Sequence, residues 1–424
     1  MFDNTTFFDF FGVTCLLNLY FTISGIEPVF SHKIYTGYRI VFLCYTYPMF
    51  NEARRAVWME VSLGNIRDNY MAIRGLAEGC ETIACIKGDA YGHGIVKTAW
   101  EFVRGGVEYL GVATIDEALA LRSAGIRTDI VLLSPVPRGN TKDVIDLRLI
   151  TVITTLKDAE LLSETIQRSG SKDISYFIAL ETGMGRLGFM PTAESFKDII
   201  AITSLPGLKM IGVHSHFAAA DEQDLSFSKN QLETFHTFVS HLEEAGVETG
   251  KRSMANSAAI MALPDSHLDV IRPGIALYGI YPSETMDKSI ITLKPAMTIK
   301  AHIVYLKKVP AGTPISYGHK YVTKRESLIA TLPVGYEDGL PRHTHDKARI
   351  IVRGHYAPIV GNICMDLCMA DVTDVPGVEE YDEVLLMGEQ DGKRITAEEI
   401  AEYSDTIAYE VICRFGQRMP RKYV

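Results

Sequence analysis

Glu81-Thr-Ile-Ala-Cys-Ile-Lys87 runs directly into Gly88-Asp-Ala-Tyr91-Gly92-His93-Gly94. The first half is an apolar run of strand length and the second a glycine-rich turn, so Lys87 is placed at a strand end above a loop. The same texture of β-rich run, turn and helical stretch recurs downstream. It predicts strands at Thr82–Lys87, Tyr109–Thr114, Ile130–Ser134, Ile150–Thr154, Tyr176–Glu181, Met210–His216, Arg252–Asn256 and Val270–Tyr278. Amphipathic stretches such as Leu63–Ala77 and Asp224–Ala245 lie between or before them, and Gly125, Gly170, Pro206 and Gly246 stop several helices. Doubly wound sheets share this alternation, but eight strands in turn with helices favour an α/β fold of the (β/α)8 TIM-like barrel type.

After about Ser289 the pattern becomes dense β, with strands expected at Met297–Lys307, Ser327–Val334, Arg349–Val352, Met369–Val372 and Glu383–Met387 and one helix at Ala397–Ser404. The expected organisation is a barrel over residues 56–289 followed by a mostly β C-terminal domain over 290–424, which the early strand Ala56–Val61 joins. Residues 1–55 differ, being crowded with Phe and Tyr. Phe10 to Ile26 carries no charge, just short of a membrane span, and Asp3 and Asp9 stand where a signal peptide would carry Lys or Arg. Of a weak anchor and a dispensable extension, the second is favoured, with Met49 as a natural start and no membrane contact expected from residues 1–50.

The formal charge of −10 argues against a nucleic-acid surface. Seven scattered cysteines without a C-x-x-C pair read as reduced thiols in a cytoplasmic protein.

In a barrel, chemistry gathers at the C-terminal ends of the strands. Lys87 ends the first, Arg186 follows the fifth, His216 ends the sixth, Asn256-Ser257 the seventh, and Arg272-Pro-Gly274-Ile275 lies at the eighth. A desolvated amine facing a loop that admits a phosphate suits a Schiff base with an aldehyde cofactor, and pyridoxal phosphate (PLP) is the candidate. Ser257 and Gly274-Ile275 offer a hydroxyl and backbone N–H groups to a phosphate, and His216 offers an imidazole face to a pyridine ring. Each residue alone has an ordinary reading as a turn, core or surface group; five strand ends in agreement outweigh it. Gly183-Met-Gly185-Arg-Leu-Gly188 matches a dinucleotide fingerprint, but it follows the fifth strand and puts Arg186 where a pyrophosphate would enter. Arg186 is therefore read as a ligand to an anionic oxygen. His93, His214 and His216 lack the spacing of a metal site, and no metal is expected.

From about Ala56 to Tyr423 the chain resembles the PLP-dependent alanine racemases. The motifs are Ile86-Lys-Gly-Asp-Ala-Tyr-Gly-His-Gly94, Glu181-Thr-Gly-Met-Gly-Arg-Leu-Gly188, His216-Phe-Ala, Ala255-Asn-Ser257 and Arg272-Pro-Gly-Ile-Ala-Leu-Tyr-Gly279. In the β domain they are Ile315-Ser-Tyr317-Gly, Gly335-Tyr336-Glu-Asp-Gly339 with Pro341-Arg342, Cys364-Met365-Asp366 and Ala408-Tyr409-Glu410. The resemblance implies interconversion of L- and D-alanine by two acid/base groups, Lys87 on one face of the substrate and Tyr317, from a partner subunit, on the other. Tyr91, Ser257, Gly274, Ile275 and Tyr409 are implied to bind the phosphate, with Asn256 beside them. Arg272 is implied at the pyridine nitrogen, linked to His216, while Met365, Arg186 and Tyr336 are implied to contact substrate. A homodimer feeding D-alanine to peptidoglycan follows, with a serine or broad-spectrum racemase, or a non-catalytic PLP-binding protein, as alternatives. The chain departs from many relatives at Ala179, where they carry a carbamylated lysine beside the arginine equivalent to Arg186. A chloride or a rearranged Glu181 is expected there instead.

Overall fold

The computed structural model describes residues 6–9, 14–17, 32–36, 39–43, 55–344, 347–416 and 418–424. Two units separate at Pro48. In the first, Thr6–Asp9 pairs antiparallel with Thr14–Leu17, and His32–Thr36 with Arg39–Leu43. Most of the uncharged run from Phe10 to Ile26, and Met49 itself, lie outside the described residues.

In the second unit a closed barrel is formed by Glu81–Cys85, Tyr109–Val112, Asp129–Leu132, Leu149–Ile153, Ile174–Ala179, Leu208–His214, Lys251–Asn256 and Val270–Arg272. All pair in parallel, and Val270 opposite Glu81 closes the ring. Leu149–Ile153 is buried at every position, as expected of a parallel strand covered on both faces. One face of the strands fills the barrel itself with Ile83, Tyr109, Val131, Ile150, Val152, Phe177, Ala179 and Val270. The other face packs on the helices. Several of those helices start where a short polar side chain can take an orphan amide: Ser62 caps Leu63–Leu76, Thr155 caps Leu156–Ser169, and Thr114 with Glu117 forms a capping box on Ile115–Ser123.

All but one of the predicted barrel strands overshoot at their C-terminal ends; the expected Arg252–Asn256 ends at Asn256 as observed. Lys87 lies beyond the first ladder, His216 beyond the sixth, and the expected Val270–Tyr278 stops at Arg272 because Pro273 lacks an N–H and Ile275–Tyr278 turns into a 3-10 helix. An apolar run marks burial, and at a barrel mouth buried chain continues past the last ladder bond.

In the β domain the expected Met297–Lys307 is two strands, Met297–His302 and Tyr305–Val309, which belong to different sheets. Val57–Val61 pairs antiparallel with Met297–His302 and parallel with Arg421–Tyr423, so the strand preceding the barrel and the last strand of the chain meet in one sheet. The second sheet is Tyr305–Val309, Ser327–Leu332 and Cys368–Asp371. Among the described residues, no helix is long and apolar enough to cross a membrane.

Candidate active site

Lys87 opens a turn whose backbone is unusual. Gly88, Asp89, Ala90 and Tyr91 hold φ of 64°, 53°, 56° and 53°, a left-handed turn in which three residues carry a Cβ. Each such residue costs about 1–2 kcal/mol, so neighbouring groups must hold it. Gly88 N donates to Glu117 Oε1 at 2.6 Å, Ile95 N donates to Asp89 Oδ1 at 2.7 Å, and Arg421 pairs with Asp89 Oδ2 at 2.6 Å. The turn buries the Tyr91 ring against Tyr278, 4.9 Å between centroids, with Tyr409 at 6.3 Å. Burial raises the Tyr91 phenol well above its ordinary pKa. A Cβ on Gly274 would lie 2.6 Å from the Tyr91 hydroxyl, so glycine is what permits this approach.

Ser257 opens the short helix after the seventh barrel strand, and its Oγ accepts from Gly274 N at 2.8 Å and Ala276 N at 3.3 Å. Asn256 caps that helix, accepting from Ala259 N at 3.0 Å. Ile275 follows Gly274 and is buried. Tyr91, Ser257, Gly274 and Ile275 thus converge at the mouth of the barrel, with Tyr409 beside Tyr91.

Arg272 is 5% exposed, and its guanidinium binds Ser253 Oγ, the Ser215 carbonyl and, at 3.4 Å, the Met254 carbonyl. Burial lowers its pKa to about 10, which leaves it cationic at neutral pH. Its Nη2 stands 3.4 Å from His216 Nδ1. Burial first, and Arg272 next, push the His216 imidazole well below its ordinary pKa, so this ring is neutral.

Arg186 is exposed and lines a small cavity with Ala179, Glu181, Met184, His214 and His216. Glu181 is committed to its own loop, accepting from Gly183 N at 2.5 Å and Arg186 N at 3.1 Å. Burial would raise its pKa, but those amides with Gly185 and Met184 outweigh it and hold the carboxyl low. A carboxylate saturated by backbone N–H groups is not rearranged onto the Arg186 side chain.

Tyr317, Tyr336 and Met365 gather elsewhere, on the β domain. Tyr317 is 68% exposed and follows Ser316, itself at φ 63°. Its carbonyl accepts from Asn362 Nδ2 at 2.7 Å, while Ser316 Oγ binds the Asn362 carbonyl at 2.5 Å. Tyr336 N donates to the Cys364 carbonyl at 3.0 Å, and Glu337 N to that of Met365 at 3.1 Å. Behind them Asp338 is fully buried between Arg55 at 2.7 Å and Arg418 at 3.0 Å, and Arg418 also reaches Asp366 at 2.5 Å. Among the described residues, no hydrogen bond or ion pair joins Tyr317, Tyr336 or Met365 to Lys87, His216 or Arg272 in the same chain.

Sequence reading missed the supports. Glu117, Ser253, Tyr278, Asp338 and Arg418 shape the two clusters; Tyr278 and Asp338 lie within the quoted motifs without being given a role, and Glu117 carries the local signal of a capping box. Among the described residues, no group of three His, Cys, Asp or Glu side chains could hold a metal ion.

Comparison with known proteins agrees with this geometry. The model of the alanine racemase N-terminal domain matches residues 61–282, and that of the alanine racemase C-terminal domain matches residues 296–423. Alanine racemase 1 of Clostridium acetobutylicum is 44% identical over 370 residues, covering 87% of this chain and 96% of that protein. Alanine racemase of Clostridium kluyveri is 42% identical over 370 residues, covering 87% and 94%. Among solved structures, alanine racemase of Clostridium difficile 630 superposes with a TM-score of 0.83 at 36% identity, covering 87% of this chain and 96% of that one. Alanine racemase of Bartonella henselae with covalently bound pyridoxal phosphate gives 0.77 at 28% identity, covering 87% and 99%. With both domain models matched in order and relatives aligned over nearly their whole length, the chain belongs to the alanine racemase family.

Proposed function

We propose that this chain is an isomerase that interconverts L-alanine and D-alanine with pyridoxal phosphate. The observation that carries the reading is Arg272, a buried cation wedged between carbonyls and neutral His216 at the same barrel mouth as Lys87. The residues present fit the cofactor: the Tyr91 hydroxyl beside glycine at 274, with Ser257 and Ile275, suits a phosphate, and Asn256 and Tyr409 flank it. Lys87 would tether the aldehyde, His216 would lie against the ring, and Arg272 would face the ring nitrogen. When bound, PLP supplies an electron sink that acidifies the α-carbon hydrogen of an attached amino acid.

The protein supplies proton handling and orientation. Lys87 Nζ takes or returns a proton on one face of the α-carbon, and the Tyr317 hydroxyl does so on the other. Arg272, fixed as a cation, gives the ring nitrogen no proton, which limits side reactions. The Met365 backbone amide and Arg186 hold the substrate carboxylate, and Tyr336 and Tyr409 narrow the entrance to a methyl-sized side chain. Tyr317 stands on an exposed surface, with no hydrogen bond or ion pair to Lys87 among the described residues of its own chain. A homodimer in which Tyr317 reaches the partner subunit's barrel mouth satisfies the exposed Tyr317, Met365 and Leu367 together. A cytoplasmic source of D-alanine for peptidoglycan belongs to the same reading.

The test is D-alanine formation from L-alanine by purified protein with PLP, with L-serine in parallel. Fast alanine turnover supports the reading. Turnover mainly of serine would reassign the substrate, and bound PLP without racemisation of either would replace catalysis by carriage.

A further inference from the structure

The left-handed turn after Lys87 is held from three directions. Glu117 takes the Gly88 amide, and Asp89 Oδ1 takes the Ile95 amide. The third hold comes from the far end of the chain. Arg421 Nη2 meets Asp89 Oδ2 at 2.6 Å, and Arg421 Nε donates to the Gly92 carbonyl at 3.0 Å, so one guanidinium grips the turn at two points. The same C-terminal segment closes over the turn. A Cβ on Gly92 would lie 2.4 Å from the Ile412 carbonyl, and one on Gly94 would strike the Tyr423 hydroxyl. Arg421 is itself anchored, because its strand Arg421–Tyr423 runs parallel to Val57–Val61 within the β sheet.

We propose that Arg421 is a positioning residue for Lys87: by clamping Asp89 and the Gly92 carbonyl it keeps Gly88–Tyr91 left-handed, and so fixes where the Lys87 amine and the Tyr91 hydroxyl point. This rests on the reading of Lys87 as the cofactor-bearing amine. An ordinary ion pair between two domains would contribute little, since both partners are partly exposed, and its removal would leave the turn as it is. Here the ion pair closes on backbone held where residues with a Cβ rarely stay, so its loss releases the turn locally.

The test uses the full-length chain with Arg421→Gln, Arg421→Lys and Asp89→Asn. Arg421→Gln is expected to weaken PLP affinity by about tenfold or more, read by absorbance titration, and to lower kcat by about as much with little change in the KM for alanine. Lys, which reaches one of the two acceptors, restores part of both. Asp89→Asn acts in the same direction, and combined with Arg421→Gln it adds less than the sum of the two. Adding Ala90→Gly, which removes the backbone cost at one position, recovers part of the Arg421→Gln loss. Amide hydrogen exchange in the segment 86–94 is expected to quicken in Arg421→Gln while the rest of the barrel is unchanged.

A folded Arg421→Gln protein with PLP affinity, kcat and exchange all within about twofold of the parent overturns the inference. If that variant does not fold, Asp89→Asn decides by the same readings, since Asn tolerates a left-handed φ and keeps the cap on Ile95. If the parent chain neither binds PLP nor racemises alanine, the proposed function fails. Exchange in the segment 86–94 then still decides whether Arg421 holds the turn.

Discussion

Arg272 at the barrel mouth is buried, bonded to Ser253, Ser215 and Met254, and set beside a neutral His216, whereas Tyr317 on the β domain is largely exposed and fixed only through its backbone. The first cluster is complete within one chain, its geometry set by strand ends and desolvation. The second is tied at its base, where Asp338 and two arginines link Gly335 and Asp366, but its proposed working side chains face outward. On the proposed reading, the barrel mouth would build the cofactor cradle within one chain, while the opposing acid/base group would come from a second subunit.

The largest expected effects separate the two halves. Lys87→Ala should cost a factor of about 10⁴ or more in turnover, because it removes both tether and base, while Tyr317→Phe should cost about 10²–10⁴ with PLP binding retained. Mixing the two inactive proteins under conditions that exchange subunits sharpens the contrast. If Tyr317 serves the partner's barrel, half of the dimers are mixed and each holds one intact site, giving about a quarter of parental turnover. No recovery would place Tyr317 in its own chain's site.

Arg272→Gln ranks next. It removes the cation and leaves the Ser215 and Met254 carbonyls without their donor, a loss of about 3–5 kcal/mol for breaking a buried charged network. A lowered Tm with slower racemisation and more transamination is expected. Racemisation intact without added transamination would refute the role given to Arg272.

Burial at the barrel mouth also predicts a pH dependence. His93 is buried with its ring on Tyr278 at 4.6 Å, and burial lowers its pKa to about 4; His214 and His216 are shifted the same way. Below an unfolded-state value near 6.5 the unfolded chain binds protons that the folded chain refuses, so stability falls as pH drops from about 6.5 towards 4. His93 alone accounts for a loss on the order of 3 kcal/mol. Thermal melts across that range check it, and a flat Tm would contradict the burial argument.

The fold was legible because burial repeats. Eight apolar runs separated by helices gave the barrel, and Arg349–Val352 and Ala397–Ser404 were placed to the residue. The misplacements share a cause at Lys87, His216 and Tyr278: hydropathy follows burial past the end of the ladder. Lys87, Arg186, His216, Asn256, Ser257, Arg272, Gly274 and Ile275 were visible as chemistry at strand ends, whereas Tyr91 and Tyr409 came only from resemblance to a family. Tyr317, Tyr336 and Met365 were not visible either, since exposed residues in turns carry no periodic signal, and only the same resemblance brought them in. The Asp89–Arg421 contact spans 332 positions. No local pattern announces it, nor the left-handed turn, because glycine at 88, 92 and 94 signals a turn without fixing its hand.

The smallest effect is expected from the N-terminal unit. Removing residues 1–48 deletes the first of the two units, which lies before both domain matches in the sequence, so turnover within about twofold of the parent and a Tm within about 2 °C are expected. Extending the deletion through Arg55 is different. Arg55 supplies one of the two cations on Asp338, the fully buried carboxylate beneath Tyr336 and Asp366, and Arg418 would be left to balance it alone. That loss should cost about 1–3 kcal/mol, and it should act on the β-domain cluster, raising the KM for alanine while PLP affinity stays unchanged. Equal behaviour of the two deletions would mean that Arg418 suffices and that the base of the β-domain cluster is as self-contained as the barrel mouth.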